Sequence, residues 1–223
     1  MKRLVLTGSL VASLTMAVHA DDAKKSDSKS EGGFVQLFNG KDLTGWKTHP
    51  DDKDSKWEVV DGAITASGPK AGHLFSERGD YTDFVVRFEA KINDVGNSGQ
   101  YFRAKFAKSF PPGYEAQINF GHRDPIKTGS LYPAFNRRLS REEREKLIVR
   151  KAPHNADEWF TQEVTAIGNH IVIKVNGTKT VDFVDDSKAF MKGHFAIQYH
   201  DPTCKVFVRK VEVKEVRAEG KAN

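Results

Sequence analysis

Three segments of the sequence place ionisable or amide side chains at alternate positions of runs that otherwise read as buried β-strands. Successive side chains of a strand point to opposite faces of its sheet, so residues two apart share a face. The pairs that share a face in this way are Tyr101 with Arg103, Glu115 with Gln117, and Gln198 with His200. If the three strands are neighbours in one sheet, these pairs line one concave surface that carries a carboxylate, a cation, an imidazole and amides.

Such a surface is suited to a shaped polar ligand, and carbohydrate is the ligand class that it fits best. The outer face of any antiparallel sheet also alternates polar and apolar residues. An ordinary outer face favours Lys, Thr and Glu, however, whereas this one offers Tyr, Arg, Gln and His. We therefore expect a carbohydrate site, to which Asn97 could add a contact with a sugar hydroxyl, although Asn97-Ser98-Gly99 also suits a plain loop.

The N-terminus has the features of a secretory signal peptide. Lys2 and Arg3 give it a positive start, an apolar run follows over residues 4–18, and Val18-His19-Ala20 supplies a small-residue cleavage site. We expect residues 1–20 to be removed and the mature protein to be periplasmic or secreted. Residues 21–33 are predicted to be a flexible tether because they contain no hydrophobic residue larger than alanine.

Composition excludes several partner classes. The formal net charge of the whole chain is +5, but the basic residues are spread along the sequence and do not form the concentrated footprint that nucleic acid requires. No stretch beyond the signal peptide approaches the roughly 20 apolar residues of a membrane span. Cys204 is the single cysteine, so no internal disulfide can form and a large apolar core must hold the fold together.

The rest of the chain is predicted to be an all-β sandwich over residues 34–217 with a short tail at 218–223. Short apolar or alternating runs are separated by turn residues, which is typical of antiparallel sheets. Asp61-Gly62, Gly168-Asn169 and Asn176-Gly177 predict three hairpins because these residues tolerate positive φ. Ser140-Arg141-Glu142-Glu143 has the form of a capping box and predicts one short helix over residues 141–149.

Several motifs together resemble the 3-keto-disaccharide hydrolase family, over nearly everything from Phe34 to Val213. The motifs that carry the resemblance are Leu37-Phe38-Asn39-Gly40-Lys41-Asp42-Leu43-Thr44-Gly45-Trp46, Asn97-Ser98-Gly99, Gly113-Tyr114-Glu115-Ala116-Gln117-Ile118, Thr128-Gly129-Ser130-Leu131-Tyr132, Glu158-Trp159-Phe160, Gly168-Asn169-His170, Val175-Asn176-Gly177 and Gln198-Tyr199-His200-Asp201-Pro202. The chain departs from the family near its end, where Val208-Arg209-Lys210-Val211 replaces the usual Phe-Arg-Asn-Ile.

The resemblance implies a jelly-roll sandwich of the concanavalin and laminin-G type in a secreted glycoside-processing enzyme. It also implies a substrate sugar that has been oxidised at C3, so an oxidoreductase partner could work beside it. A ketone at C3 acidifies the hydrogen at C2. A base can then remove that hydrogen while the glycosidic oxygen leaves C1, and addition of water completes a net hydrolysis. The enzyme is thus expected to cleave 3-keto-glycosides by hydrolysis or by elimination followed by hydration.

This chemistry needs a base, a proton donor and a group that stabilises the enolate charge. We assign the base to Glu115, enolate or ketone stabilisation to Arg103, and the acid to His200 or His122. Each assignment has a structural alternative, since Glu115 and Arg103 could form a cross-strand ion pair and either histidine could merely cap or open a turn.

Aromatic residues could provide stacking platforms for pyranose rings. Of the candidates Trp46, Tyr101, Tyr132 and Trp159, we favour Tyr101 and Tyr132, because a tryptophan more often belongs to the core. Trp46 and Trp57 are interpreted as packing residues.

No cofactor or metal is expected, because the sequence contains neither a nucleotide fingerprint nor a metal-binding motif of the HExxH kind. Two other functions stay open beside the enzyme. The same concave sheet could serve a non-catalytic, lectin-like carbohydrate-binding module, or the domain could act in adhesion, because a fold alone does not determine function. Glu115 distinguishes them, since an eliminating enzyme needs a base and a lectin does not.

Overall fold

The computed structural model describes residues 32–136 and 138–216. The predicted signal peptide, most of the predicted tether and the predicted tail at 218–223 lie outside these residues. Within the described part of the chain, no helix has the length and hydropathy that a membrane span requires.

Thirteen strands in the described residues form two antiparallel sheets. In chain order they are β1 (Val35–Gln36), β2 (Trp46–Thr48), β3 (Lys56–Val60), β4 (Ala63–Ser67), β5 (Gly72–Ser76), β6 (Phe84–Ile92), β7 (Asn97–Ala104), β8 (Tyr114–Asn119), β9 (Phe160–Ile167), β10 (His170–Val175), β11 (Thr178–Val184), β12 (His194–Tyr199) and β13 (Val206–Glu215). A 3₁₀ turn at Pro133–Phe135 and helix α1 at Arg141–Lys146 lie between β8 and β9.

The larger sheet has the strand order β11-β10-β9-β6-β13-β4-β3, with β1 paired to β13, and the smaller sheet has the order β2-β5-β12-β7-β8. The predicted all-β jelly-roll sandwich with one short helix is thus confirmed. The smaller sheet places β12, β7 and β8 side by side, which is the arrangement that the polar pairs required.

The core lies between the two sheets and follows from the period of two. Along β6, alternate residues from Phe84 to Ile92 are buried and those between them are partly exposed. The inner face of the smaller sheet supplies Phe102, Tyr114 and Phe195 to the same core. The interior is rich in aromatic rings, and Phe84 packs edge to face against Phe195 with the ring centroids 4.8 Å apart.

The local signals for turns and for the helix are confirmed, and the helix is shorter than predicted. Asp61 and Asn176 both have positive φ and close their hairpins together with glycine. Ser140 and Glu143 form the reciprocal capping box, but α1 ends at Lys146 because Leu147 is the C-cap and turns its side chain into the core. The sequence did not reveal β2 or β5, which are short and lack a clear alternation.

A bulge in β7 overturns one prediction from strand periodicity. Across the β7–β12 ladder, Tyr101 pairs with Ala196 and Ala104 pairs with His194, so β7 contains one more residue than β12 over this interval. Arg103 takes up the extra residue with φ of 49°. The expectation that Arg103 shares a face with Tyr101 is therefore wrong, because the bulge turns the Arg103 side chain towards the interior.

Arg103 is fully buried and ties several chain segments together. Its guanidinium donates to the carbonyl of Thr82 through Nε at 2.9 Å and through Nη2 at 2.7 Å, and to the carbonyl of Gly168 through Nη1 at 2.7 Å. Nη2 also lies 3.3 Å from Asp83 Oδ1. Arg103 pairs with Asp83 and not with Glu115, so its contacts stabilise the connections at one end of the sandwich.

Replacing Arg103 with methionine is expected to lower the free energy of unfolding by about 3 kcal/mol or more, because buried carbonyl oxygens and Asp83 lose their donor. The measurement is urea unfolding followed by circular dichroism. Arg150→Met is the matched control, because it removes an exposed arginine paired with Glu145 and should cost less than about 1 kcal/mol. Equal losses in the two variants would contradict the structural role of Arg103.

Candidate active site

The outer face of the smaller sheet forms the floor of a cavity of about 620 Å³. This volume is in the range that holds small ligands in proteins. Seven of the nine predicted site residues line it, namely Asn97, Tyr101, Glu115, Gln117, Tyr132, Gln198 and His200. Strands β7, β8 and β12 carry five of them and are neighbours in the sheet, although β12 is distant from the other two in sequence.

Glu115 lies on the floor of this cavity and is only 8% exposed. Glu115 is opposite Tyr101 in the β7–β8 ladder. Gly99, which is opposite Gln117 in the same ladder, is the diagonal neighbour of Glu115. A Cβ atom at Gly99 would lie 2.2 Å from Glu115 Oε1. The absence of a side chain at Gly99 therefore makes room for the carboxylate to lie over the sheet.

Burial raises the pKa of Glu115 to about 8. The nearby charge of Asp124 raises it further, and a hydrogen bond from the Tyr101 hydroxyl opposes both effects by favouring the ionised form. Among the described residues, no lysine or arginine lines the cavity to neutralise this carboxylate. Glu115 therefore has the properties of a general base that is poised near neutral pH.

A chain of amide groups connects Glu115 to His122. Hydrogen bonding favours the orientation in which the Gln117 nitrogen donates to Glu115 Oε1 at 3.1 Å and to the Ser98 carbonyl at 2.9 Å. The Gln117 oxygen then faces the Asn97 amide at 3.2 Å, and the other end of that amide lies 3.2 Å from His122 Nδ1. These buried amides hold the side chains of Glu115 and His122 in place.

The groups that pack around Tyr101 are uncharged. Gln198 donates to the Tyr101 hydroxyl at 3.2 Å. His73 packs edge-on against the Tyr101 ring with centroids 5.0 Å apart, and burial lowers its pKa to about 3. His73 is therefore neutral at physiological pH and supports Tyr101 through packing.

Two histidines and an aspartate meet at the edge of the cavity. His200, which follows β12, lines the cavity and its Nδ1 lies 2.8 Å from Asp201 Oδ2. His122, in the turn after β8, lies beside the cavity, with its ring centroid 5.7 Å from that of His200. Burial and the neighbouring His200 lower the pKa of His122. The expected alternative also holds, because His122 Nδ1 accepts a hydrogen bond from the backbone N–H of Asp124 and so caps a turn.

Tyr132 reaches the cavity because its backbone pairs beside β8. Its N–H donates to the Glu115 carbonyl at 2.8 Å, and its hydroxyl lies 3.1 Å from Asp124 Oδ2. Asp124 is a lining residue that the sequence reasoning missed, although the signal was available in the same turn as His122.

Sequence reasoning also missed Asp201 and the aromatic walls of the cavity. Asp201 directly follows His200, so adjacency alone could have suggested it. Phe110, Phe135 and Phe190 come from loops outside the strand pattern. Of these, Phe110 is 59% exposed and precedes Pro111 and Pro112.

Two candidates lie away from the cavity. Arg103 belongs to the interior network described above and does not reach it. Trp159 lies elsewhere on the surface, between the Lys91 ammonium and the Arg209 guanidinium, at 5.2 and 4.3 Å from the ring centroid. Trp46 and Trp57 are buried packing residues, as interpreted from the sequence.

Comparison with known proteins identifies the kind of domain. A family model described as a 3-keto-alpha-glucoside-1,2-lyase-like domain matches residues 33–214. A comparison with curated proteins found no match.

Solved structures share the architecture at low sequence identity. A protein from Parabacteroides distasonis ATCC 8503, described as a candidate glycosyl hydrolase, is 22% identical, with a TM-score of 0.62 over 82% of this chain and 94% of its own. The carbohydrate-binding module CBM66 from Bacillus subtilis is 16% identical, with a TM-score of 0.54 over 78% of this chain and 97% of its own. These similarities establish the jelly-roll fold, which enzymes and binding modules both use.

The carboxyl group of Glu115 is expected to titrate near pH 8, well above the usual range of a glutamate. Carbon-detected NMR of the glutamate side chains measures this pKa, with Glu115→Gln identifying the resonance. Tyr101→Phe removes the hydrogen bond that favours the ionised form, so the midpoint should move to higher pH. A wild-type midpoint near 4.5 would show that the carboxyl group is solvated and contradict its burial.

Proposed function

This chain belongs to the 3-keto-alpha-glucoside-1,2-lyase-like family, and from that premise we propose that it cleaves 3-keto-glycosides. The observation that carries the proposal is Glu115, a buried carboxylate on the floor of a ligand-sized cavity. An unpaired buried carboxylate is unfavourable to maintain, and a module that only binds sugar has no need of it. An enzyme that removes the C2 proton needs a base, and Glu115 can be that base.

The reaction begins when Glu115, in its ionised form, takes the proton at C2. The C2–H electron pair forms the C1–C2 double bond as the bond from C1 to the glycosidic oxygen breaks. The departing oxygen receives a proton and leaves as an alcohol. Water then adds across the double bond, so that the net reaction is hydrolysis.

The remaining groups of the cavity bind the sugar. Tyr101 orients Glu115, while Asn97, Gln117 and Gln198 present amides near the floor. The exposed ring of Phe110 and the phenol of Tyr132 form apolar walls that suit the faces of pyranose rings. His200 lines the cavity. We propose that its imidazole donates to the departing glycosidic oxygen or to the carbonyl oxygen of the substrate.

The proposal also sets the context in which the protein works. An ordinary glycoside lacks the acidic hydrogen at C2, so an enzyme that oxidises the C3 hydroxyl must supply the substrate. Export of this chain remains part of the proposal and is based on the residues of the predicted signal peptide, 1–20.

A lectin-like function is the second candidate, and the similarity to a carbohydrate-binding module favours it. The same floor and aromatic walls would bind a sugar without cleaving it. The two functions differ in their requirement for a base at position 115.

Glu115→Gln is expected to reduce turnover of a 3-keto-disaccharide by about 10²-fold or more, because the substitution removes the base and keeps the shape of the side chain. Release of reducing sugar measures turnover, and calorimetry measures binding. Glu58→Gln is the control, since it changes an exposed carboxylate paired with Lys56 and should leave turnover unchanged. Sugar binding by wild type without any release would establish the lectin function, and full activity of Glu115→Gln would remove this residue from its role.

The rate should rise with pH because only ionised Glu115 can accept the proton. With a pKa of about 8, kcat/KM of the wild type should increase through neutral pH and level off above pH 8. Stability should change in the opposite sense. A carboxyl group with a raised pKa binds its proton more tightly in the folded state, so the free energy of unfolding falls as pH rises from about 4.5 to 8. Rates that are constant between pH 6 and 9 would contradict the assignment.

A further inference from the structure

We propose that His122, His200 and Asp201 form a binding site for one divalent transition-metal ion at the edge of the cavity. One ligand atom from each of these residues lies within 4.8 Å of those of the other two. Asp201 Oδ2 lies 2.8 Å from His200 Nδ1 and 4.0 Å from His122 Nε2. The two histidines come from turns that follow β8 and β12, so their sequence separation hides the arrangement.

The donor set identifies the class of metal. Two imidazoles and one carboxylate suit zinc, cobalt and the neighbouring first-row ions, whereas calcium and magnesium prefer oxygen ligands alone. Ligand bonds of about 2.0–2.2 Å place the bound atoms of a tetrahedral site roughly 3.3–3.6 Å apart. The Asp201 and His200 atoms must therefore separate by about half an ångström, and His122 must move closer to Asp201. Side chains on turns can make this adjustment.

The carboxylate is already oriented for such a role. Asp201 Oδ1 accepts hydrogen bonds from the backbone N–H of Thr203 at 2.8 Å and from its hydroxyl at 2.5 Å. Asp201 Oδ2 is therefore the oxygen presented to the histidines. Hydrogen bonds that fix a ligand in this way are a regular feature of metal sites.

His122 has an acceptor available for its other ring nitrogen. The Asn97 amide lies 3.2 Å from His122 Nδ1 and 3.2 Å from the Gln117 amide. If Asn97 donates its nitrogen to the Gln117 oxygen, its own oxygen faces His122 Nδ1. A proton on Nδ1 then leaves Nε2 free to bind the metal. The backbone N–H of Asp124, also 3.2 Å from Nδ1, loses its acceptor in this state, which weakens metal binding by the loss of one long hydrogen bond.

A metal would supply the positive charge that the proposed reaction needs, and this part of the inference depends on the proposed function. Arg103, the expected cation, is committed to the interior network, and among the described residues no lysine or arginine lines the cavity. A Lewis acid at this edge would stabilise negative charge on a substrate oxygen. With His200 Nδ1 bound to the metal, the Nε2–H of the same ring would be left to donate a hydrogen bond to the substrate.

Metal binding is tested without reference to activity. Untagged protein is stripped with a chelator and titrated with Co²⁺, whose visible absorption reports coordination by nitrogen and oxygen, and with Zn²⁺ by calorimetry. We expect one ion per chain. His122→Gln and Asp201→Asn should each weaken binding by about 10-fold or more. Asp182→Asn is the matched control, because Asp182 forms an exposed pair with His170 at 2.7 Å and should leave binding unchanged.

The outcomes separate this inference from the proposed function. A wild-type protein that binds neither ion, or that binds both ions equally well in the His122 and Asp201 variants, overturns the metal site. Thermal unfolding of the stripped variants without metal shows whether they are folded, and the wild-type titration decides the question independently of them. Stoichiometric binding without turnover of any 3-keto-disaccharide supports the metal site and contradicts the proposed function. Turnover that survives chelation in a protein that binds no metal does the reverse.

Discussion

The burial of Glu115 without a cationic partner is the constraint on which the rest of this site depends. A carboxylate at 8% exposure would ordinarily require an arginine or lysine beside it. The site provides instead a phenol, amides and the space above Gly99, so the carboxyl group holds its proton up to about pH 8. A cationic partner would have lowered the pKa of this carboxyl group and made it a weaker base.

The two faces of the smaller sheet divide the work between folding and binding. Its inner face supplies aromatic residues to the core, and its outer face supplies the floor of the cavity. The bulge at Arg103 separates the two roles within one strand, because it sends the guanidinium to the carbonyl groups of Thr82 and Gly168. The one arginine that the strand pattern had placed in the site thus stabilises the fold.

The sequence predicts those parts of the fold that follow from local rules. Strand β6 and the hairpin at Asn176 were predicted correctly because side-chain alternation and positive φ are local properties. The bulge in β7 was not predictable, because it depends on the pairing partner β12. A prediction that leaves the bulge out assigns Arg103 to the wrong face of the sheet. The predicted positions of Glu115, Tyr101 and the amides agree with the cavity because β7, β8 and β12 are neighbours in the smaller sheet, a pairing that alternation alone does not specify.

The groups that the sequence analysis overlooked share a different property, since they lie on loops. Asp124 and Asp201 each follow a predicted histidine closely in the chain, but the contact that Asp201 makes with the other histidine joins turns that follow different strands. Loops also contribute Phe110, whose ring lies within 6.1 Å of the His73 ring and 5.9 Å of the His200 ring, measured between centroids.

The exposure of Phe110 has a thermodynamic consequence. An aromatic ring that projects into solvent at the mouth of a polar cavity is hydrated while the cavity holds no ligand. A sugar that packs its C–H face on this ring releases that water, which gives association a negative heat-capacity change although the ligand itself is hydrophilic. Affinity at this rim would then depend on temperature in the manner of an apolar contact.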